Sequence, residues 1–360
     1  MRKGRKCLKK CGIVTIWNYG NYGNRLQNYA VQQVLSNMEE TDVYTLRIMS
    51  KKEILKQIKA EIKADFHFLA KGKVKNEGSR LKIFRKFNNR YIKCGFDFKK
   101  RLINKTDYII CGSDQIWNYD FAGEGYFFAT FADPKKRISY SASFGVENIP
   151  QNKQDEYKKN LKNMKAISVR EETGAKIVKD LSGKNATVLV DPTLMLTKKE
   201  WQAIAKKPSF IGKEKFILTY FLGDVSADMQ EYINDVCSSY GYKLINLEMK
   251  NTNKFWHNSG PSEFIWMIEN AEIVLTDSFH GTVFSVLMDT PFLVWERQDK
   301  LHSMSSRIDT LLSTLRLQDR RWSGQKGEVV FEKEYAHISE ILQKERQKAI
   351  DFLKKAMEME

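Results

Sequence analysis

The chain has 360 residues, of which 42% are hydrophobic and 29% charged, with only 6 prolines. That balance can bury sizeable cores and excludes disordered, collagen-like and mucin-like chains, while the length points to two domains at roughly 150 residues each. No apolar run reaches the roughly 18 residues of a membrane span, and 60 Lys and Arg against 44 Asp and Glu leave a net charge of +16.

The basic start Met1–Lys10 runs into strand-like Cys11–Trp17 with no cleavage region, so a cytoplasmic protein is expected. Cys7, Cys11, Cys94, Cys111 and Cys237 are odd in number and scattered. That suits reduced thiols better than a disulfide framework, and no second Cys or His pair completes a zinc site. Strands are expected at Ile13–Trp17 and Val43–Ile48. The apolar face of Leu26, Ala30, Val31, Val34 and Leu35 predicts a helix between them, over Leu26–Met38.

A basic helical segment follows at Lys51–Arg101, where 17 Lys and Arg meet 5 Asp and Glu, so most of the excess charge is local. It reads as a solvated helical pair with Ile54, Leu55, Ile58 and Ile62 inward, or as a contact with an anionic membrane surface. A nucleic-acid reading would use Phe84, Phe87 and Tyr91 between Arg85, Lys86 and Arg90. No nucleic-acid module surrounds them, and no nucleic-acid partner is expected.

Further strands are expected at Tyr108–Cys111, Ile138–Ser141, Ile167–Val169 and Val188–Val190. After a break near Asp191–Pro208 they resume at Phe216–Phe221, Lys243–Leu247, Ile273–Thr276 and Phe292–Trp295, with helical patterns at Glu263–Asn270 and Thr282–Met288. The last segment, His337–Met357, is one amphipathic helix. This alternation predicts α/β domains with largely parallel sheets, spanning 1–191 and 192–335, with a terminal helix at 336–360. Open sheets of this kind bind ligands at the carboxyl ends of their strands.

Unusual polar residues cluster just there. Between the first strand and helix, Gly20 and Gly23 free the backbone, Asn24 can cap the helix, and its first-turn amides with Arg25 suit an anion; Arg25, Gln27 and Asn28 lie off the apolar face. After Tyr108–Cys111 come Ser113, Asp114 and Gln115, where Asp114 reads equally as a base, a sugar-orienting group or a helix cap. Arg170 closes a short strand and can grip phosphate or carboxylate; a salt bridge to Glu171 or Glu172 is the plainer alternative. After Ile273–Thr276, Asp277, Ser278 and His280 form a turn with Gly281, where an imidazole suits a general acid or phosphate contact. Ser306 and Asp309 form a capping pair, which leaves Arg307 in a first helical turn, a position where a cation wants an anionic partner.

Taken in order, the segments Asn18-Tyr-Gly-Asn-Tyr-Gly-Asn-Arg-Leu-Gln27, Gly112-Ser-Asp-Gln-Ile-Trp117, Ser168-Val-Arg-Glu171, Asp191-Pro-Thr193 and Thr276-Asp-Ser-Phe-His-Gly281 resemble the polysaccharide pyruvyl transferase family. The resemblance implies two Rossmann-like domains in a GT-B-like arrangement and transfer of the enolpyruvyl carbons of phosphoenolpyruvate to a saccharide as a ketal. It implies His280 as the acid or phosphate contact and Arg170 as the donor-binding cation. Position adds Asn24, Gly23, Arg25, Ser278 and Arg307 to the donor side, with Asp114 or Asp277 as base toward the acceptor. Some family members carry a basic residue where this chain has Ser278, so Arg25 or Arg307 is expected to replace it.

The implied chemistry needs neither metal nor cofactor. In such pathways the acceptor is often linked to a polyprenyl diphosphate, which would give Lys51–Arg101 a membrane-docking task. The alternatives are a nucleotide-sugar glycosyltransferase of the same architecture and a carbohydrate-binding member without turnover. On the catalytic reading, replacing His280 or Arg170 by Ala should abolish activity with little change in thermal stability.

Overall fold

Short runs of β-branched and aromatic residues make the strands, and helical crossovers return the chain so that neighbours pair in parallel. The structure is a computed structural model and describes residues 8–17, 20–48, 77–97, 101–120, 125–247, 255, 258–298, 305–324, 331 and 335–359.

The elements are β1 (Lys9–Val14), α1 (Tyr22–Ser36), β2 (Thr41–Ile48), α2 (Glu77–Tyr91), β3 (Cys94–Asp97), α3 (Arg101–Asn104), β4 (Tyr108–Cys111), β5 (Arg137–Ser139), α4 (Gln151–Lys162), β6 (Ser168–Val169), α5 (Glu172–Ser182) and β7 (Thr187–Val188). They continue with α6 (Lys198–Gln202), β8 (Phe216–Tyr220), α7 (Ala227–Tyr240), β9 (Lys243–Asn246), α8 (Pro261–Asn270), β10 (Val274–Thr276), α9 (Phe279–Leu287), β11 (Phe292–Val294), α10 (Ser305–Leu315) and α11 (Ile338–Ala356). Two compact units result. The first holds Met1–Lys73, Asn88–Met195 and Glu345–Glu360; the second holds Val74–Phe87 and Leu196–Lys344. The units are therefore not the contiguous spans 1–191 and 192–335, because residues 74–87 join the second and 345–360 return to the first.

In the first unit the sheet order is β3-β2-β1-β4-β5, every pairing parallel. Single bridges from Ile138 to Ala166 and from Ala142 to Val169 carry it on toward β6, which pairs with β7. All four residues of β4 are buried, as expected of a strand covered on both faces. Its core gathers Val14, Ile109, Cys111, Trp117, Phe128 and Phe144. The second unit has the parallel order β11-β10-β8-β9 over a core that includes Ile217, Met229, Ile273, Leu293 and Trp295. Helix ends follow local chemistry. Thr197 and Glu200 close a reciprocal capping box at α6, and Gly183 supplies the left-handed residue after α5 at φ 74°.

The basic segment departs from its helical reading. Residues 49–76, with the face of Ile54, Leu55, Ile58 and Ile62, lie outside the described residues. Beyond them α2 is helical, but Cys94–Asp97 is a strand that extends the sheet beside β2. Phe84 and Phe87 are buried, so two of the three aromatics that nucleic-acid binding would need face a core, while Tyr91 is half-buried. Among the described residues no helix is long and apolar enough to cross a membrane.

Candidate active-site residues at the reversal points of the two sheets

Strand order locates the ligand-binding end of each sheet. In the first unit the chain places β2 and β3 on one side of β1, then β4 and β5 on the other, so direction reverses between β1 and β4. In the second it reverses between β8 and β10. The loops that leave the two central strands diverge there, and the crevice between them is the usual ligand position.

At the β1/β4 reversal a buried polar network joins the two loops. Asn21, rather than Asn24, caps α1 by accepting the amide of Asn24 at 3.1 Å, which places Gly23 inside the first turn. The Asn24 side chain is thereby released to donate to Asp114 Oδ2. Asp114 Oδ1 accepts the Gln115 amide at 2.9 Å, so both carboxylate oxygens are engaged, and its own φ is 74°. Gln27 donates to Thr15 Oγ1 at 2.7 Å and accepts the Ser113 amide at 3.0 Å. Asn28 donates to Thr45 Oγ1 at 2.8 Å. Arg25 is fully buried, donates to the Ile16 carbonyl and lies 4.4 Å from the Trp17 ring centre. The polar face of α1 is thus buried as well as its apolar face of Leu26, Ala30, Val31, Val34 and Leu35.

Arg170 has a partner that the sequence reading did not pair with it. Its Nη2 forms an ion pair with Asp191 Oδ2 at 2.7 Å and donates to Ser113 Oγ at 2.5 Å. The two charged side chains are 2% and 0% exposed. Ser113 donates in turn to the Ser141 carbonyl at 2.9 Å. Asp191 Oδ1 accepts the Thr193 amide at 2.9 Å, so the Asp-Pro-Thr turn after the last strand of the unit holds the guanidinium. The available signal was an acidic residue directly after the apolar run Val188–Val190.

At the β8/β10 reversal Asp277 plays the tying part. Its two oxygens accept the amides of Leu222 at 2.7 Å and Gly223 at 2.8 Å, which fixes the loop after β8. Burial pushes this carboxyl above its ordinary range, opposed by those two amides and by Arg297. Ser278 caps α9 by accepting the Gly281 amide at 3.3 Å, and its own amide donates to Thr276 Oγ1 at 3.0 Å. A Cβ on Gly281 would lie 2.5 Å from that same Thr276 oxygen, which explains the glycine. His280 follows in the first turn, 7% exposed, its ring 5.3 Å from that of Phe279 and nearly perpendicular to it. The guanidinium of Arg307, from α10, lies 5.8 Å from the centre of the Phe279 ring. Asp309 pairs with Arg321 at 2.7 Å, so the expected capping partner of Ser306 is engaged elsewhere.

The expected residues therefore fall into two groups. Asn24, Asp114, Arg170 and Ser113 meet in the first unit; in the second, His280 and Arg307 each approach Phe279 and Ser278 caps α9, while Asp277 turns to the loop after β8. Among the described residues no group of three His, Cys, Asp or Glu could hold a metal ion. Residues 21–297, from the cap of α1 to the arginine beside Asp277, match the polysaccharide pyruvyl transferase family. The chain belongs to that family.

No curated protein matches this pyruvyl transferase family member. Among solved structures it is similar to S. aureus MnaA with UDP, at 11% identity and a TM-score of 0.49 over 98% of each chain. The UDP-GlcNAc 2-epimerase of Neisseria meningitidis bound to UDP-GlcNAc gives 9% identity and 0.42, covering 97% of this chain and 99% of that one. A UDP-glucosyltransferase of Polygonum tinctorium gives 13% and 0.38, covering 98% and 99%.

Proposed function

We propose that this chain transfers the pyruvyl group of phosphoenolpyruvate to two hydroxyls of a saccharide, forming a ketal and releasing phosphate. The observation that carries the proposal is the His280 turn. It sets an imidazole, the opening amides of α9 and the Arg307 cation around Phe279 at the reversal of the second sheet. A small dianion with a carboxylate and a phosphate needs that combination of helix amides and a fixed guanidinium.

In the proposed reaction a proton goes to the methylene carbon, positive character builds on the adjacent carbon, and a sugar hydroxyl attacks it. A second hydroxyl then forms the other C–O bond as the C–O bond to phosphate breaks, and the hydroxyl protons balance those taken by the methyl group and the phosphate. His280 serves as the acid or phosphate contact. Arg307 takes the place of the cation absent at Ser278, because Arg25 is buried against Trp17 and Asn28 in the other unit. Within the first unit Asp114 orients the acceptor, and Arg170, its charge matched by Asp191, holds the neighbouring Ser113 hydroxyl in place. A polyprenyl-diphosphate acceptor would bring the basic segment to an anionic bilayer; replacing Lys51, Lys52, Lys56 and Lys59 by Gln should then weaken sedimentation with anionic liposomes.

The test supplies the full chain with phosphoenolpyruvate and a panel of galactosides, glucosides and mannosides, and separately with nucleotide sugars. Phosphate release with one saccharide class is the expected result. His280→Gln should lower kcat by about 100-fold, the lower range for losing a general acid. Arg307→Ala should raise the KM for phosphoenolpyruvate about tenfold or more, as expected for a lost charge-assisted contact. Release of nucleoside diphosphate without any phosphate release would replace this reading with a glycosyltransferase.

A further inference from the structure

We infer that Glu171 is a positioning residue for the crevice between the ends of β1 and β4. Glu171 occupies the cap position of α5, yet its side chain makes no bond to that helix. It is fully buried and reaches back across the sheet end to one turn. There a single oxygen, Oε1, accepts the Ser143 hydroxyl at 3.1 Å, the Phe144 amide at 2.8 Å and the Gly145 amide at 3.2 Å. A carboxylate that gathers three donors from successive residues imposes a conformation on them.

That turn is the floor of the Asp114 loop. The Ser143 amide donates to the Asp114 carbonyl at 2.9 Å, and the Ser143 carbonyl accepts the Trp117 amide at 3.1 Å. Gly145, at φ 63°, leaves room for the Gln115 side chain; a Cβ would stand 2.1 Å from Gln115 Nε2. The preceding residue completes the arrangement, since the Arg170 amide donates to the Ala142 carbonyl at 3.0 Å while its guanidinium holds Ser113. Two adjacent residues, Arg170 and Glu171, thus set the side chain of Ser113 and the backbone of Asp114 from opposite sides of one peptide. Glu171 needs no contact with a ligand to do this.

Hydrogen exchange on the full chain tests the inference. Glu171→Ala should speed exchange of the amides from Ser113 to Trp117 and at Phe144 and Gly145 by about a hundredfold, the loss expected from three bonds of ordinary net strength. The amides of β2 should stay unchanged. Glu171→Gln, which keeps an acceptor oxygen in place, should restore slow exchange. If Glu171→Ala does not fold, Ser143→Ala removes one donor and should accelerate the same amides to a smaller degree. Unchanged exchange at these amides, an equal rise through β2, or no rescue by glutamine would overturn the assignment. The kinetic arm rests on the acceptor role given to Asp114 above. Glu171→Ala should raise the KM for the saccharide while leaving that for phosphoenolpyruvate within about twofold, a split that general destabilisation does not produce. A wild-type chain that releases no phosphate would end the reaction proposal but leave the exchange pattern to decide on Glu171.

Discussion

The pair of Arg170 and Asp191 sets the stability of its neighbourhood as well as its charge. Both are out of water, so truncating one strands the other, at a cost of about 3–5 kcal/mol. Arg170→Ala should therefore lower the melting temperature strongly, contrary to the small change expected of a donor-binding cation. Removing both partners should recover part of the loss, and a double-mutant cycle by denaturant melts measures how much. Asp277 makes the opposite point about charge. Its carboxyl is held above the ordinary 3.8, chiefly by burial. The folded state therefore binds a proton more tightly than the unfolded chain does. The resulting stability is fully present below the unfolded pKa and is lost as pH rises through the folded one. Asp277→Asn lacks this titration, so the margin by which the wild type melts above it should widen from pH 7 to pH 4. At neutral pH the variant should still be weaker by about 1–3 kcal/mol, because one of two backbone amides would face an amide donor.

Among the elements, uninterrupted apolar runs such as Tyr108–Cys111 and Phe216–Tyr220 were readable because a strand covered on both faces carries its burial in its own composition. β3 was not readable. Cys94-Gly-Phe-Asp lies at a sheet edge between lysines and draws its strand character from pairing with β2. The inward polar face of α1 was hidden for a related reason: Gln27 and Asn28 are satisfied by Thr15, Ser113 and Thr45, whose proximity only the folded sheet creates. By contrast, the positions of Asp114, Arg170 and Asp277 at the ends of strands, and of His280 in the helical turn just beyond, were legible, since a buried apolar run that ends in a polar or charged residue marks a sheet end. Two cysteines give a further check on burial. Burial pushes the thiols of Cys11 and Cys111 up to about 12, so neither should react with a thiol reagent at neutral pH until the chain is unfolded, which mass spectrometry of the labelled sites reads directly.

At the scale of the whole molecule, the amphipathic pattern of the last helix announced that it would pack but not onto what. Its final turns belong to the first unit, where Ala349, Leu353 and Met357 are fully buried. Lys9 donates to the carbonyls of Met357 at 2.8 Å and Glu358 at 2.6 Å, and Lys165 pairs with Glu358 at 2.6 Å. Truncation after Lys344 should cost about 4–8 kcal/mol from the lost apolar burial alone, an appreciable part of a domain's total stability. Circular dichroism melts of the truncated chain should show the deficit. The return of residues 345–360 also orders events during synthesis. A ribosome makes β1 long before its cover, so the amino-terminal unit waits, unfinished, through translation of the residues between them. The carboxyl-terminal unit, needing nothing after Lys344, is free to fold while its elder sibling is still incomplete.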